Sequence, residues 1–212
     1  MKKLKKIVKG SYFYSIWVKF RQANNEKETL RNWRSNGKPV PPPHIYKGLV
    51  IKKYANDYRI AVFIETGTYL GETVDFVKRL FRKIFSIELD LKLYQAAKER
   101  FAREKNIAIR QGDSGEVIES ILSNISEPCI FWLDGHYSEG FTAKGKLNTP
   151  ILAELGHIFA HSNQDHVILI DDARCFDGLN DYPTLDFLKQ FVMNKRPNFQ
   201  FYVEDDIIRI HK

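Results

Sequence analysis

Val62-Phe63-Ile64-Glu65-Thr66-Gly67-Thr68-Tyr69-Leu70-Gly71-Glu72-Thr73 is the stretch whose reading decides the fold. An apolar run ends in an acid, breaks at a glycine and passes a second glycine into a helix-compatible segment. A strand hands over to a helix in this way around a nucleoside-bearing ligand. The next apolar run, Ile84 to Leu89, contains a further acid, Glu88, near its end. A glycine turn followed about 20 residues later by a strand-end carboxylate is the arrangement that grips a ribose in Rossmann-type sheets.

Working outward, apolar runs and helical patterns alternate. Strands are expected at 61–65, 83–89, 107–111, 129–133 and 167–170, with helices at 72–80, 91–105, 115–124, 149–160 and 184–193 between and after them. Strand and helix in alternation predict an α/β fold, a Rossmann-like doubly wound, mostly parallel sheet with helices on both faces. Runs at 199–203 and 207–210, joined by Glu204-Asp205-Asp206, predict a C-terminal antiparallel hairpin.

The 212 residues suffice for one such domain and a modest extension. The net charge of +7 hides an asymmetry: residues 1–60 carry 15 Lys/Arg against 3 Asp/Glu, and residues 61–212 carry 18 against 23. The basic character belongs to the N-terminal extension, where Ile7, Tyr14, Trp17, Val18 and Arg21 fit helical spacing with one apolar side. Such a segment serves either as a solvated face or as a contact for an anionic membrane or nucleic acid. Gly37-Lys38-Pro39-Val40-Pro41-Pro42-Pro43 reads as a stiff extended linker. The expected organisation is therefore a basic aromatic extension with linker over 1–45 and a catalytic domain over 46–212.

No apolar run reaches the length of a membrane span, and no apolar stretch of useful length follows the basic N-terminus as a secretory signal requires. Cys129 and Cys175 are too few for a disulfide framework and read as buried free thiols of a reducing compartment. A cytoplasmic protein is expected, membrane-peripheral if the N-terminus binds lipid. Homo-oligomer formation stays open.

Together these residues resemble class I S-adenosylmethionine-dependent methyltransferases over roughly residues 60–212. Glu65-Thr66-Gly67-Thr68-Tyr69-Leu70-Gly71 matches the family's first motif, with Tyr69 where the central glycine is usual and a looser turn expected. The resemblance implies S-adenosylmethionine as cofactor, with Glu65, Thr66, Gly67, Tyr69, Gly71 and Thr73 around it. It further implies Glu88 on the ribose, Asp113 and Ser114 at the adenine, and Asp134 at the end of the fourth strand. A dinucleotide fold is disfavoured because no Gly-x-Gly-x-x-Gly occurs.

The fourth strand ends in Leu133-Asp134-Gly135-His136 and the fifth in Ile170-Asp171-Asp172-Ala173-Arg174. As sheet neighbours about 4.8 Å apart, these strands would bring three carboxylates to one crevice. Clustered carboxylates repel unless a cation neutralises them, and oxygen ligands favour Mg²⁺ or Ca²⁺. The pattern is similar to the macrocin and related sugar O-methyltransferases, which carry Asp-Gly-Asp and a double Asp at these places. That resemblance implies Asp134, Asp171 and Asp172 as Mg²⁺ ligands and a sugar or glycan hydroxyl as acceptor. His136 stands where the family has its basic Asp, and an imidazole can take that role near neutral pH. His157, His161 and His166 read as structural or surface residues. Ser138 to Asn148 reads as a polar lid or an ordinary loop, with Lys144 or Arg174 available to an anionic group.

Two other functions stay open from sequence. One is another metal enzyme on this scaffold, although the two-His-one-carboxylate set of an iron oxygenase is not apparent. The other is a membrane- or nucleic-acid-binding module working through the N-terminus, nucleic acid being the less favoured partner.

Overall fold

The computed structural model describes residues 25–135 and 149–212. The basic stretch before residue 25, His136 and Lys144 therefore lie outside the described residues. The chain divides into two compact units, Met1–Lys47 and Gly48–Lys212.

In the first unit, residues 25–35 form helix α1. Gly37 ends it in a left-handed turn, with φ 77°. Trp33 Nε1 donates to the Pro39 carbonyl at 2.8 Å and the Trp33 ring packs on Tyr46 at 4.5 Å. The start of the expected stiff, extended linker is tied to α1 by this bond: a buried indole needs an acceptor, and the chain supplies one six residues on. Helix α2, His44–Asp57, leads on into the second unit.

The second unit continues with β1 Val62–Thr66, α3 Glu72–Val77, β2 Lys83–Glu88, α4 Leu91–Arg100 and β3 Ile107–Gln111. Next come α5 Ser114–Leu122, β4 Cys129–Leu133, α6 Ile151–Ala160, β5 Val167–Ile170, a 3₁₀ turn Ala173–Cys175, α7 Leu185–Lys195, β6 Gln200–Glu204 and β7 Ile207–His211. Seven strands form one sheet in the order β3-β2-β1-β4-β5-β7-β6. β1 pairs in parallel with both β2 and β4, and β4 with β5. β7 runs antiparallel to β5 and β6, which is the expected terminal hairpin.

The central strands β1, β4 and β5 are buried throughout. A strand covered on both faces has no use for polar alternation, which explains their continuous apolar runs. Alternate residues serve opposite faces. Val62 and Ile64 join Ile118, Leu155, Ile158 and Leu188 in one core. Phe63 points the other way and stacks on Phe81 with 5.0 Å between ring centroids. β6 is the exposed edge, with only Phe201 partly buried. The chain turns back between β1 and β4, so the carboxyl ends of these strands open at a topological switch point, where sheets of this kind bind ligands.

Candidate active site

The loop after β1 is built on left-handed backbone. Gly67 has φ 81°, and a Cβ there would lie 2.4 Å from the Asp134 carbonyl oxygen. Only glycine lets the two strand ends approach so closely. Tyr69 also adopts the left-handed region, at φ 48°. The looser turn expected from the missing glycine is not what forms. The tyrosine takes the glycine-type conformation, and its N–H donates to Glu88 Oε2 at 2.7 Å. Gly71, with φ 74°, starts α3, and a Cβ there would lie 2.7 Å from the Phe101 ring.

Glu88 ends β2 and is buried, with Oε1 accepting from the Asp90 N–H at 2.9 Å. Burial raises its pKa above the ordinary glutamate value, while the N–H groups of Asp90 and Tyr69 pull the other way. The carboxylate is thereby held at the mouth of the glycine turn.

Two predicted cofactor residues have structural duties. Glu65 is buried behind the turn and accepts from Ser86 Oγ at 2.6 Å, with Thr73 also hydrogen-bonded to it. Burial lifts its pKa to about 8, against the pull of those two hydroxyls. Asp113 caps α5 by accepting from the Gly115 N–H at 2.9 Å. An acid beside a strand end serves here as a helix cap, an ordinary use of aspartate.

At the ends of β4 and β5, a pocket is lined by Leu133, Asp134, Thr149, Glu154, Asp171 and Tyr182 among others. Asp134 and Asp171 both face it. Asp172 does not line it; its φ is 55° and its Oδ1 accepts from the Arg174 guanidinium at 2.8 Å. Arg174 also pairs with Asp206, which sits in the β6–β7 turn and accepts the Arg174 N–H at 2.8 Å. Among the described residues, no group of three or more His, Cys, Asp or Glu is arranged to hold a metal ion. Of the predicted three-carboxylate set, Asp134 and Asp171 line one pocket and Asp172 is engaged by Arg174. The left-handed bend at Asp172 brings its carboxylate to the Arg174 guanidinium, while Asp134, Glu154 and Asp171 line the pocket.

Glu154 was not singled out from the sequence. It is 1 % exposed, and burial raises its pKa to about 7 against hydrogen bonds from Ser114 and Thr66. Ser114, predicted at the adenine, thus has its hydroxyl engaged with Glu154. Thr66 Oγ1 also accepts the Asp134 N–H at 3.2 Å, so one hydroxyl ties together the ends of β1, β4 and α6. The signal was present: Ile151, Glu154, Leu155 and Ile158 share the buried face of α6, and an acid on an apolar stripe requires a reason.

The remaining histidines and cysteines stand apart. His161 and His166 hydrogen-bond each other at 2.9 Å beside the start of β4, as structural residues would. Cys129 and Cys175 are free; Cys129 is buried, which pushes its thiol up to about 12, and Cys175 only half-buried.

No family model matches this sequence, and neither does any curated protein sequence. Solved structures do match in fold. An O-methyltransferase from Bacillus cereus in complex with SAH superposes with a TM-score of 0.58 at 15% identity, covering 89% of this chain and 91% of its own. A putative caffeoyl-CoA O-methyltransferase from Staphylococcus aureus gives 0.58 at 14% identity, covering 94% and 98%. The O-methyltransferase TomG from Streptomyces achromogenes, involved in tomaymycin synthesis and solved with SAM, gives 0.54 at 14% identity, covering 87% of each chain. This chain has the Rossmann-like fold of the class I methyltransferases.

Proposed function

We propose that this protein is an S-adenosylmethionine-dependent O-methyltransferase. The observation that carries the proposal is the pairing of the left-handed Gly67 turn with Glu88, fixed by the N–H groups of Tyr69 and Asp90 at the switch point of the sheet. Structures of the same fold, one with SAM and one with SAH, support the choice of cofactor. Glu88 is assigned to the ribose hydroxyls, whose two O–H groups its carboxylate can accept.

The acceptor is assigned to the pocket between β4 and β5, and its class, by the resemblance to sugar methyltransferases, is a sugar or glycan hydroxyl. The hydroxyl proton goes to His136, the residue after Gly135. Held by Glu88 and the Gly67 turn, the cofactor would supply an electrophilic methyl group to the deprotonated oxygen and would leave as the uncharged thioether. Much of the acceleration comes from holding the two reactants at attack distance. Asp134 and Asp171 are the residues that would hold a Mg²⁺ ion, which commonly takes one or two carboxylates and completes its shell with water and substrate. Bound there, the ion would lower the pKa of a coordinated hydroxyl. Asp172 lies outside that set.

Methyl transfer from tritium-labelled SAM to a panel of glycosides and vicinal diols, with and without Mg²⁺, tests the assignment. Asp171→Asn is expected to lose any Mg²⁺ stimulation and Asp172→Asn to keep it. Stimulation that survives in Asp171→Asn and vanishes in Asp172→Asn would reverse the ligand choice.

A further inference from the structure

The sheet ends in two edge strands, β3 and β6, and they are not alike. β3 carries Arg110 among its exposed residues, and a charged side chain on an edge keeps other strands away. β6 has no such guard. Gln200-Phe201-Tyr202-Val203-Glu204 contains no lysine, proline or glycine, and its one charge, Glu204, is paired with Arg209 at 3.0 Å. Tyr202 and Val203 are both exposed apolar residues of this strand.

The hairpin fixes which backbone groups of β6 are open. Asp205 and Asp206 form a two-residue turn with both φ angles positive, so Glu204 and Ile207 are a hydrogen-bonded pair. Antiparallel ladders alternate. Glu204, Tyr202 and Gln200 therefore turn their N–H and C=O groups toward β7, and Phe201 and Val203 turn theirs outward. Among the described residues, no backbone group bonds to these outward N–H and C=O groups.

The strand is complementary to itself. Laid antiparallel about Tyr202, a second β6 sets Phe201 against Val203 on one face, twice over, and Gln200 against Glu204 on the other. The Phe201–Val203 pairs use the outward groups, exchange both backbone bonds and match an aromatic with a β-branched side chain. The Gln200 amide can donate to the Glu204 carboxylate of the second copy. Tyr202 meets its own copy, with its hydroxyl held 2.7 Å from the Tyr54 hydroxyl of its own molecule. A slip of one residue would put every side chain on the wrong face. We propose that β6 is a homodimer interface, at which two copies of this chain join their sheets through antiparallel β6 strands about a two-fold axis at Tyr202. An isologous contact of this kind closes on itself and stops at two copies. It lies two strands beyond β5 and is independent of the methyltransferase assignment.

Sedimentation equilibrium of the intact protein from micromolar to millimolar concentration is expected to show a reversible monomer–dimer equilibrium, as a short interface gives. Val203→Pro removes an outward N–H but no β6–β7 bond, so it should keep the circular dichroism of the wild type and stay monomeric. Cross-linking reads the register. Tyr202→Cys brings two thiols onto facing residues about 4.5 Å apart at Cα, within disulfide reach. Gln200→Cys leaves its two copies four residues apart along the pair, about 13 Å, beyond that reach. Under mild oxidation the first should form a covalent dimer. The second should behave as the wild type, whose own Cys175 and Cys129 set the background. A wild type that stays monomeric, a folded Val203→Pro that still dimerises, or assemblies growing beyond two copies would overturn the proposal. If Val203→Pro does not fold, the cross-links decide, and a Tyr202→Cys that cross-links no more than Gln200→Cys refutes it.

Discussion

Tyr69 shows how a single residue can look wrong in a sequence and be right in a fold. A side chain in left-handed backbone costs about 1–2 kcal/mol, and the Tyr69 N–H contributes one of the two hydrogen bonds that fix Glu88. Tyr69→Gly is expected to raise stability by about 0.5–1 kcal/mol in urea unfolding, the strain relieved minus the added entropy of the unfolded glycine. A loss of stability would mean that the tyrosine ring, 47% exposed, packs more usefully than its exposure indicates. Gly67 behaves oppositely. Gly67→Ala adds strain and a Cβ 2.4 Å from the Asp134 carbonyl oxygen, so it should cost at least 2 kcal/mol, on the order of a core defect, and abolish cofactor binding. The turn at Gly67 and the strand-end position of Glu88 were legible because each needs a residue type at a spacing. Glu154 and the turning of Asp172 toward Arg174 were not, because both depend on contacts between segments far apart in sequence. Asp172 and Asp206 meet on one guanidinium 32 residues from the latter, which no local pattern reports.

At the scale of elements, the helices and strands appear where periodicity places them, and their limits move for local reasons. The helix expected over 91–105 stops at Arg100, and Phe101, its C-cap, opens a run of three turn residues. The hairpin turn Asp205–Asp206 is formed by two left-handed residues, at φ 50° and 65°, as a two-residue turn between twisted strands requires. Asp206 then holds Arg174, so the hairpin braces the segment that follows β5. A second device joins the loop before β5 to β4. The Cys129 N–H donates to His166 Nδ1 at 3.0 Å, which puts the His166 proton on Nε2, facing His161 Nδ1. His161 Nε2–H then donates to the Ile125 carbonyl at 2.8 Å. The chain of bonds works only with neutral rings. Burial holds the His166 pKa down to about 4, with His161 adding to the shift. The unfolded chain therefore binds the proton first as pH falls from about 6.5 to about 4, and the folded state loses up to about 3 kcal/mol over that window. His166→Gln removes this titration. In urea unfolding at pH 6.5, 5.5 and 4.5, the wild type should lose stability relative to the variant; curves that stay parallel would show that His166 is not held neutral.

For the molecule as a whole, strand order decides where chemistry can occur. Placing β1 beside β4 brings Gly67, Glu88, Asp134 and Asp171 to one edge of the sheet from four separate parts of the chain. This much follows from sequence, because an alternating pattern admits few topologies and acids at strand ends mark the open edge. The acceptor and the charged N-terminus are matters of side chains and partners that strand order does not reach. Among the described residues, no helix is long and apolar enough to cross a membrane. The central claim is that this edge holds S-adenosylmethionine on Glu88. Calorimetric titration of S-adenosylmethionine into the wild type and Glu88→Ala is the most direct measurement. Saturable one-to-one binding that Glu88→Ala abolishes is the predicted result; heat of dilution alone in the wild type, or undiminished binding in Glu88→Ala, would contradict it.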